Sequence, residues 1–236
     1  SPHDPARLYA GMRHLMTSAD RGRTWQSLGD RTTGVDRRSL YIMGQGATDT
    51  TLSLDDGVSY FPTISALSES PRTKGLLYVG TGENYSSPAS GMSDAIVAVE
   101  LGTGRIRWAR QTIRGDAWNA SCGRLGNNVN CPEEDGPDFD FGAPPILVTL
   151  ADGRDILLAG QKSGMLFGLD PDADGTILWQ RRAGMGGFNG GVHWGMASDG
   201  RTLYAGIADT PGHTRPSGPP RQGMHAFDAA TGRPLW

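Results

Sequence analysis

One phrase recurs three times along this chain: "AIVAVELGTGRIRW" (95–108), "MLFGLDPDADGTILW" (165–179) and "MHAFDAATGRPLW" (224–236). Each is an alternating strand, an acid, a Thr-Gly or Asp-Gly turn, and a second strand ending in tryptophan. The acids are Glu100, Asp170 and Asp228; the tryptophans are Trp108, Trp179 and Trp236. An acid placed before such a turn accepts hydrogen bonds from the turn's backbone N–H groups. The tryptophan covers the hairpin and wedges between neighbouring sheets, so its expected work is packing. Units of this kind cannot bury their faces alone and therefore stack. The expected fold class is all-β, a β-propeller or partial β-propeller of four-stranded antiparallel blades. At about 40 to 50 residues per blade, the chain holds about five at most, and fewer if the loop from Thr112 to Pro145 is irregular.

Composition agrees. The 236 residues include 35 glycines and 15 prolines, the mark of many turns between short strands. A net charge of -3 suggests no nucleic-acid partner. No apolar run approaches a membrane span. The chain starts at Ser1 with neither a methionine nor a signal-peptide pattern, and reads as a mature or trimmed segment. Cys122 and Cys131 have eight residues between them. A disulfide fits a periplasmic or secreted protein and free thiols fit a cytosolic one. The disulfide is preferred because no Cys-x-x-Cys motif offers a metal or haem role.

The N-terminal part is phrased differently. "SADRGRTW" (18–25) fits Ser-x-Asp-x-Gly-x-Thr-Trp at every fixed place, and "SLDDGVSY" (53–60) repeats it more loosely. This resembles the Asp-box, or BNR repeat, of sialidase-like and sortilin-like propellers. Asp20 is expected to tie down the turn at Gly22, with Trp25 packing the hairpin. In those families the motif is a corner remote from the active site, so it argues fold rather than glycosidase activity. A sialidase would need an arginine cluster with a Tyr–Glu pair, which is not legible here.

From Tyr78 onward the phrases, with "YVGTGENYSSP", "TIRGDAWNASC", "NCPEEDGPDFDFGAPP", "LLAGQKSGMLFGLDPD" and "GGFNGGVHWGMASDG", resemble pyrroloquinoline quinone (PQQ) dehydrogenases of the polyvinyl-alcohol dehydrogenase branch. The division is thus 1–77, Asp-box blades, and 78–236, PQQ-type repeats, within one continuous propeller-like domain; a hybrid gene, a fusion and an assembly artefact are the alternatives for its origin. The resemblance implies PQQ and calcium as cofactors, a secondary or polymeric alcohol as substrate, and an electron acceptor such as a cytochrome c. It also implies blades upstream of Gly80 that this chain replaces with Asp-box sequence.

A quinone dehydrogenase needs a cation that polarises the quinone, a base for the alcohol proton and a cationic donor near the quinone oxygens. In the family the residue after Gly-Thr-Gly supplies an oxygen to the cation. Here that place holds Glu83, with Asn84 next; either is a candidate ligand, and the alternative is a capped corner. The residue after the tryptophan of "GDAWNAS" is the family's aspartate base, but here it is Asn119, an amide that takes no proton at neutral pH. Asp116 substitutes only if its loop turns it inward. Trp118 and Trp194 are candidate cofactor contacts, although Trp118 equally suits buried packing. Lys162 in "GQKSG" matches the residue whose cation reaches the quinone oxygens; the plainer alternative is an exposed hairpin lysine. Asp138 and Asp140, two apart, share one face of an extended segment. His193 is not assigned as a base.

Other motifs fail. "DPDADG" (170–175) imitates an EF-loop, but Pro171 interrupts it and Arg181 stands where the closing glutamate belongs. "GTGENY" lacks the third glycine of a dinucleotide fingerprint. The sequons at Asn84 and Asn119 matter only in a eukaryotic secretory route. The rival to an alcohol-oxidising enzyme is a non-catalytic scaffold or binding module of the same descent, with possible self-association through open blade edges.

Overall fold

A computed structural model describes residues 1–11, 14–30, 38, 41–42, 45–46, 48–50, 64–122, 129, 131–209 and 220–236. Among them there is no α-helix. Strands β1 (Leu8–Gly11), β2 (His14–Ser18) and β3 (Gln26–Asp30) form one antiparallel sheet, and β4 (Tyr41–Ile42) pairs with β5 (Gln45–Gly46). Two four-stranded antiparallel sheets follow: β6 (Ile64–Glu69), β7 (Leu76–Thr81), β8 (Ala95–Glu100), β9 (Ile106–Gln111); then β10 (Ile146–Thr149), β11 (Asp155–Gly160), β12 (Met165–Asp170), β13 (Thr176–Arg182). A last sheet holds β14 (Met196–Ser198), β15 (Thr202–Ile207) and β16 (Gly223–Asp228). The third tryptophan phrase begins a fourth strand there, since Leu235 N–H donates to Ala226 and Ala226 N–H to Trp236. The chain is therefore all-β, built of propeller-type meander blades.

The period-2 pattern explains the stacking. In β7, Leu77 and Val79 face the first sheet, while Leu76 and Tyr78 face the sheet of β10–β13. In β11, Leu157 and Ala159 face back toward β6–β9, and Ile156 and Leu158 face β14–β16. The middle strands are apolar on both faces because a neighbouring sheet covers each.

The tryptophans supply the sheet-to-sheet joints. Trp108 Nε1 donates to Pro171 O of the next sheet (3.2 Å), and a Cβ at Gly175 would lie 2.7 Å from its ring. Trp179 repeats this one sheet on, donating to Ala229 O (3.1 Å) and covering Gly232. Arg110 and Arg181, two residues past each tryptophan, donate to the carbonyls of Gly175 and Gly232. Both strands bulge just before the tryptophan. Asp170 and Asp228 accept backbone N–H bonds from their turns, as expected. Glu100, one carbon longer, instead accepts from the Thr103 hydroxyl and the Arg105 guanidinium.

In "SADRGRTW" the division of labour differs from the expected one. Gly22 N–H donates to Ser18 Oγ (2.8 Å), whereas Asp20 holds Thr24 through its N–H (2.8 Å) and hydroxyl (2.6 Å). Trp25 lies over Gly22 but stays 43% exposed. "SLDDGVSY" lies outside the described residues. The change of phrasing at residue 77 falls inside β7, in the middle of a sheet. Cys122 and Cys131 form a disulfide. Among the described residues no helix is long and apolar enough to cross a membrane.

Candidate functional site

In an antiparallel meander the second and fourth strands end at the same edge of every sheet. The tryptophan turns lie at the opposite edge. The segments after β7, β9, β11, β13 and β15 therefore gather on one face, and the chemistry-bearing residues are there.

The opening of this site depends on two glycines. A Cβ at Gly80 would meet Phe141 at 2.7 Å, and one at Gly82 would meet Asp140 Oδ1 at 2.1 Å. Their bareness lets the 138–141 segment lie directly on the end of β7, so Asp140 Oδ1 accepts the Glu83 N–H (2.9 Å). Glu83, Asp138 and Asp140 bring carboxylate oxygens within 4.8 Å of one another. Lys162, only 4% exposed, donates its ammonium to Asp138 and to Asp140 (2.7 Å). Its backbone N–H donates to Asp140 O (2.9 Å), so the hairpin tip is buried against the acidic segment.

Three carboxyl groups around one ammonium leave excess negative charge in a buried place. Burial, then the hydrogen bond and charge of Asp140, raise the Glu83 pKa well above the carboxylate range. Burial also pushes Asp140 upward, but Glu83 and Lys162 outweigh it and hold it at about 2. The two carboxyls are thus driven in opposite directions, Glu83 up and Asp140 down. Burial and the Asp140 charge lift Asp138 to about 7 despite its ion pair. Burial opposes the charge of Lys162, yet the two aspartates keep it protonated.

Asp116 is turned inward and fully enclosed. Its oxygens accept the N–H groups of Asp138 (3.1 Å) and Phe139 (3.0 Å). Asn84 pairs with Ala117 in a parallel bridge. The Asn84 amide oxygen accepts the Ser90 N–H (2.8 Å), within its own loop. Asn119 donates to Tyr85 O (2.9 Å) and accepts from Ser121 N–H (2.8 Å), a loop-capping position. Trp118 stacks on Phe188, ring centroids 6.1 Å apart. Trp194 is 78% exposed and stacks on His193 at 4.1 Å. Glu83, Lys162 and the Asp138/Asp140 pair come together, with Asp116 bracing them; Asn84 and Asn119 serve neighbouring loops.

Asp209 and Phe188 belong to this neighbourhood and were not singled out from sequence. Asp209 accepts the N–H groups of Met185, Gly186, Gly191 and Arg221 (2.6 to 3.2 Å). It thereby fixes the glycine-rich segment that carries Phe188 and whose Gly187 N–H donates to Lys162 O (3.1 Å). The signal was available: Asp209 stands three residues past Gly206, as Glu83 stands three past Gly80.

The arrangement defines a class first: a propeller with a charged site in the loops of one face. Solved structures agree on the fold. A quinohemoprotein alcohol dehydrogenase from Pseudomonas putida matches 98% of this chain and 50% of its own length (TM-score 0.54, 15% identity). A europium-containing methanol dehydrogenase matches with the same TM-score at 16% identity, over 98% of this chain and 52% of its own. No family model matches. In sequence, the chain is a homologue of polyvinyl alcohol dehydrogenases: 42% identical over 163 residues to one from a Pseudomonas species, 69% of this chain, and 39% identical over 162 residues to one from a Sphingopyxis strain, 68% of this chain. It spans about a quarter (24%) of the length of these curated relatives.

Proposed function

We propose that this chain carries part of a PQQ- and calcium-dependent alcohol-oxidising site, acting on a secondary or polymeric alcohol in the periplasm or outside the cell. The observation that carries this reading is the burial of Lys162 between Asp138 and Asp140 beside Glu83. Calcium takes carboxylate and carbonyl oxygens, and the oxygens of Glu83, Asp138 and Asp140 are such a set. A cation there would compensate the excess negative charge of the three carboxyl groups. When bound, PQQ accepts the two electrons removed from the alcohol. This chain's part is to hold a fixed positive charge at Lys162, where negative charge develops, and to exclude water around it. Trp118, paired with Phe188, and Trp194 offer flat surfaces at the rim. The electron acceptor in this reading is a cytochrome c or a similar carrier. The division at residue 77, with Asp-box blades before it, belongs to the same reading.

A second reading, a non-catalytic scaffold of the same descent, is favoured by Asn119 and Asp116. The first cannot take a proton, and the second is enclosed and committed to two backbone N–H groups. Calorimetric titration of PQQ with calcium present, on wild type and Lys162→Ala, separates the two. Binding that the substitution weakens at least tenfold, followed by alcohol-dependent dye reduction, supports the enzyme. Binding without turnover supports an inherited, inactive site. No heat and no melting shift leaves the scaffold.

A further inference from the structure

Asp94 and Asp116 are both 0% exposed, and neither belongs to the Glu83, Asp138 and Asp140 cluster. Both hang from the backbone that leaves β7. Asp94 N–H donates to Gly82 O (3.1 Å), and Asn84 N–H donates to Asp116 O (3.1 Å). On its other side, Asp94 O accepts the N–H and the hydroxyl of Thr112 (2.9 Å each). Asp94 is thus pinned between the ends of β7 and β9, with its carboxyl group held inside. Neither of its oxygens has a hydrogen-bond partner. The two oxygens of Asp116 each accept one backbone N–H and keep a second lone pair.

The charges that act most on Asp94 are all negative: Asp116 first, then Asp140 and Asp138. The Lys162 ammonium serves Asp138 and Asp140 instead. A carboxylate enclosed without a hydrogen bond or an ion pair is strongly disfavoured, so such a group either holds a proton or coordinates a metal. The donors select the ion. Asp94 and Asp116 offer only oxygen, which suits hard cations rather than zinc or copper. Two carboxylates are balanced by a divalent charge. Magnesium keeps several of its waters, which an enclosed place does not admit, whereas calcium accepts protein oxygens throughout.

We propose that Asp94 and Asp116 hold a buried divalent cation of the calcium class, distinct from the ion read at Glu83, Asp138 and Asp140, and that it locks the segments after β7 and β9 against each other. This site stands apart from the quinone reading. Calorimetric titration of calcium chloride into the chelator-treated chain tests it, with Asp94→Asn and Glu83→Gln as variants. Asp94 stands at φ +50°, a conformation asparagine adopts, so the first substitution leaves the fold in place. The wild type is expected to bind about two calcium ions and each variant about one. Asp174→Asn, at an exposed turn, is expected to match the wild type. Calcium is also expected to raise the melting temperature of the wild type more than that of Asp94→Asn. An ion lost in Asp94→Asn but not in Glu83→Gln supports this site and counts against the one at Glu83. An ion lost only in Glu83→Gln, no calcium bound by the wild type, or tighter binding of magnesium would overturn the assignment.

Discussion

Asp94 is a carboxyl group enclosed by protein, and neither of its oxygens has a hydrogen-bond partner. The adjacent Ser93 hydroxyl donates elsewhere, to Ser90 O (3.2 Å). Burial, with Asp116 and then Asp140 as like charges, raises the Asp94 pKa well above its ordinary value. The folded state therefore binds this proton more tightly than the unfolded chain does. That contribution is intact below the unfolded pKa near 4 and is lost as pH rises toward the folded pKa, at up to about 1.4 kcal/mol per pH unit. Asp94→Asn removes the titration. Its stability relative to wild type is expected to climb as pH rises above about 4, read from urea midpoints across a pH series; a constant difference would contradict it. Nothing in "GMSDAIV" announces such a residue, because enclosure is a property of the neighbouring loops. Lys162 and Glu83 were legible as chemistry, since the motifs around them carry a resemblance. That Lys162 is buried rather than at an exposed tip was not, because the acidic segment that covers it is some twenty residues away in sequence.

At the scale of elements, the tryptophan turns join sheets more than they cap hairpins. Trp108 and Trp179 each cover the turn glycine of the next sheet, while Trp236, the same place in the third phrase, is 64% exposed and only neighbours Tyr204 at 6.3 Å. Trp108→Ala is expected to cost about 3 to 5 kcal/mol, as other buried aromatic truncations do. Trp236→Ala is expected to cost under about 1 kcal/mol. In a chain of this size each kcal/mol moves the melting temperature about 2 to 4 °C, so scanning calorimetry resolves the pair. Equal shifts would refute the docking argument. The repeat itself shows the strands, turns and tryptophans. It also shows the small residue two places before each acid, Ala98, Gly168 and Ala226; a Cβ at Gly168 would lie 2.3 Å from Trp179. The direction of docking, onto the following sheet, is set by sheet twist and is not written in any one phrase.

At the scale of the molecule, the apolar core runs as three successive clusters. They join the first sheet to β6–β9, then to β10–β13, then to β14–β16. No such cluster joins the first sheet to the last among the described residues. The repeat made the stacking legible, but ring closure depends on blade number, which no single repeat encodes. Each sheet ends in an outer strand whose outward backbone groups form an edge, and Trp236 beside the last sheet is exposed. Such edges pair with other strands unless they are covered or charged. The outer strand β13 has exposed Arg181 and Arg182, which oppose pairing, whereas Met224, Leu235 and Trp236 at the end of the stack are exposed and apolar. Association is therefore expected through the last sheet. Sedimentation velocity over a hundredfold concentration range is expected to show a mass rising above the 25.1 kDa monomer. Trp236→Arg should return it toward the monomer without lowering the melting temperature. A monomeric mass throughout, or association unaffected by that substitution, would show that the last sheet does not hold the contact.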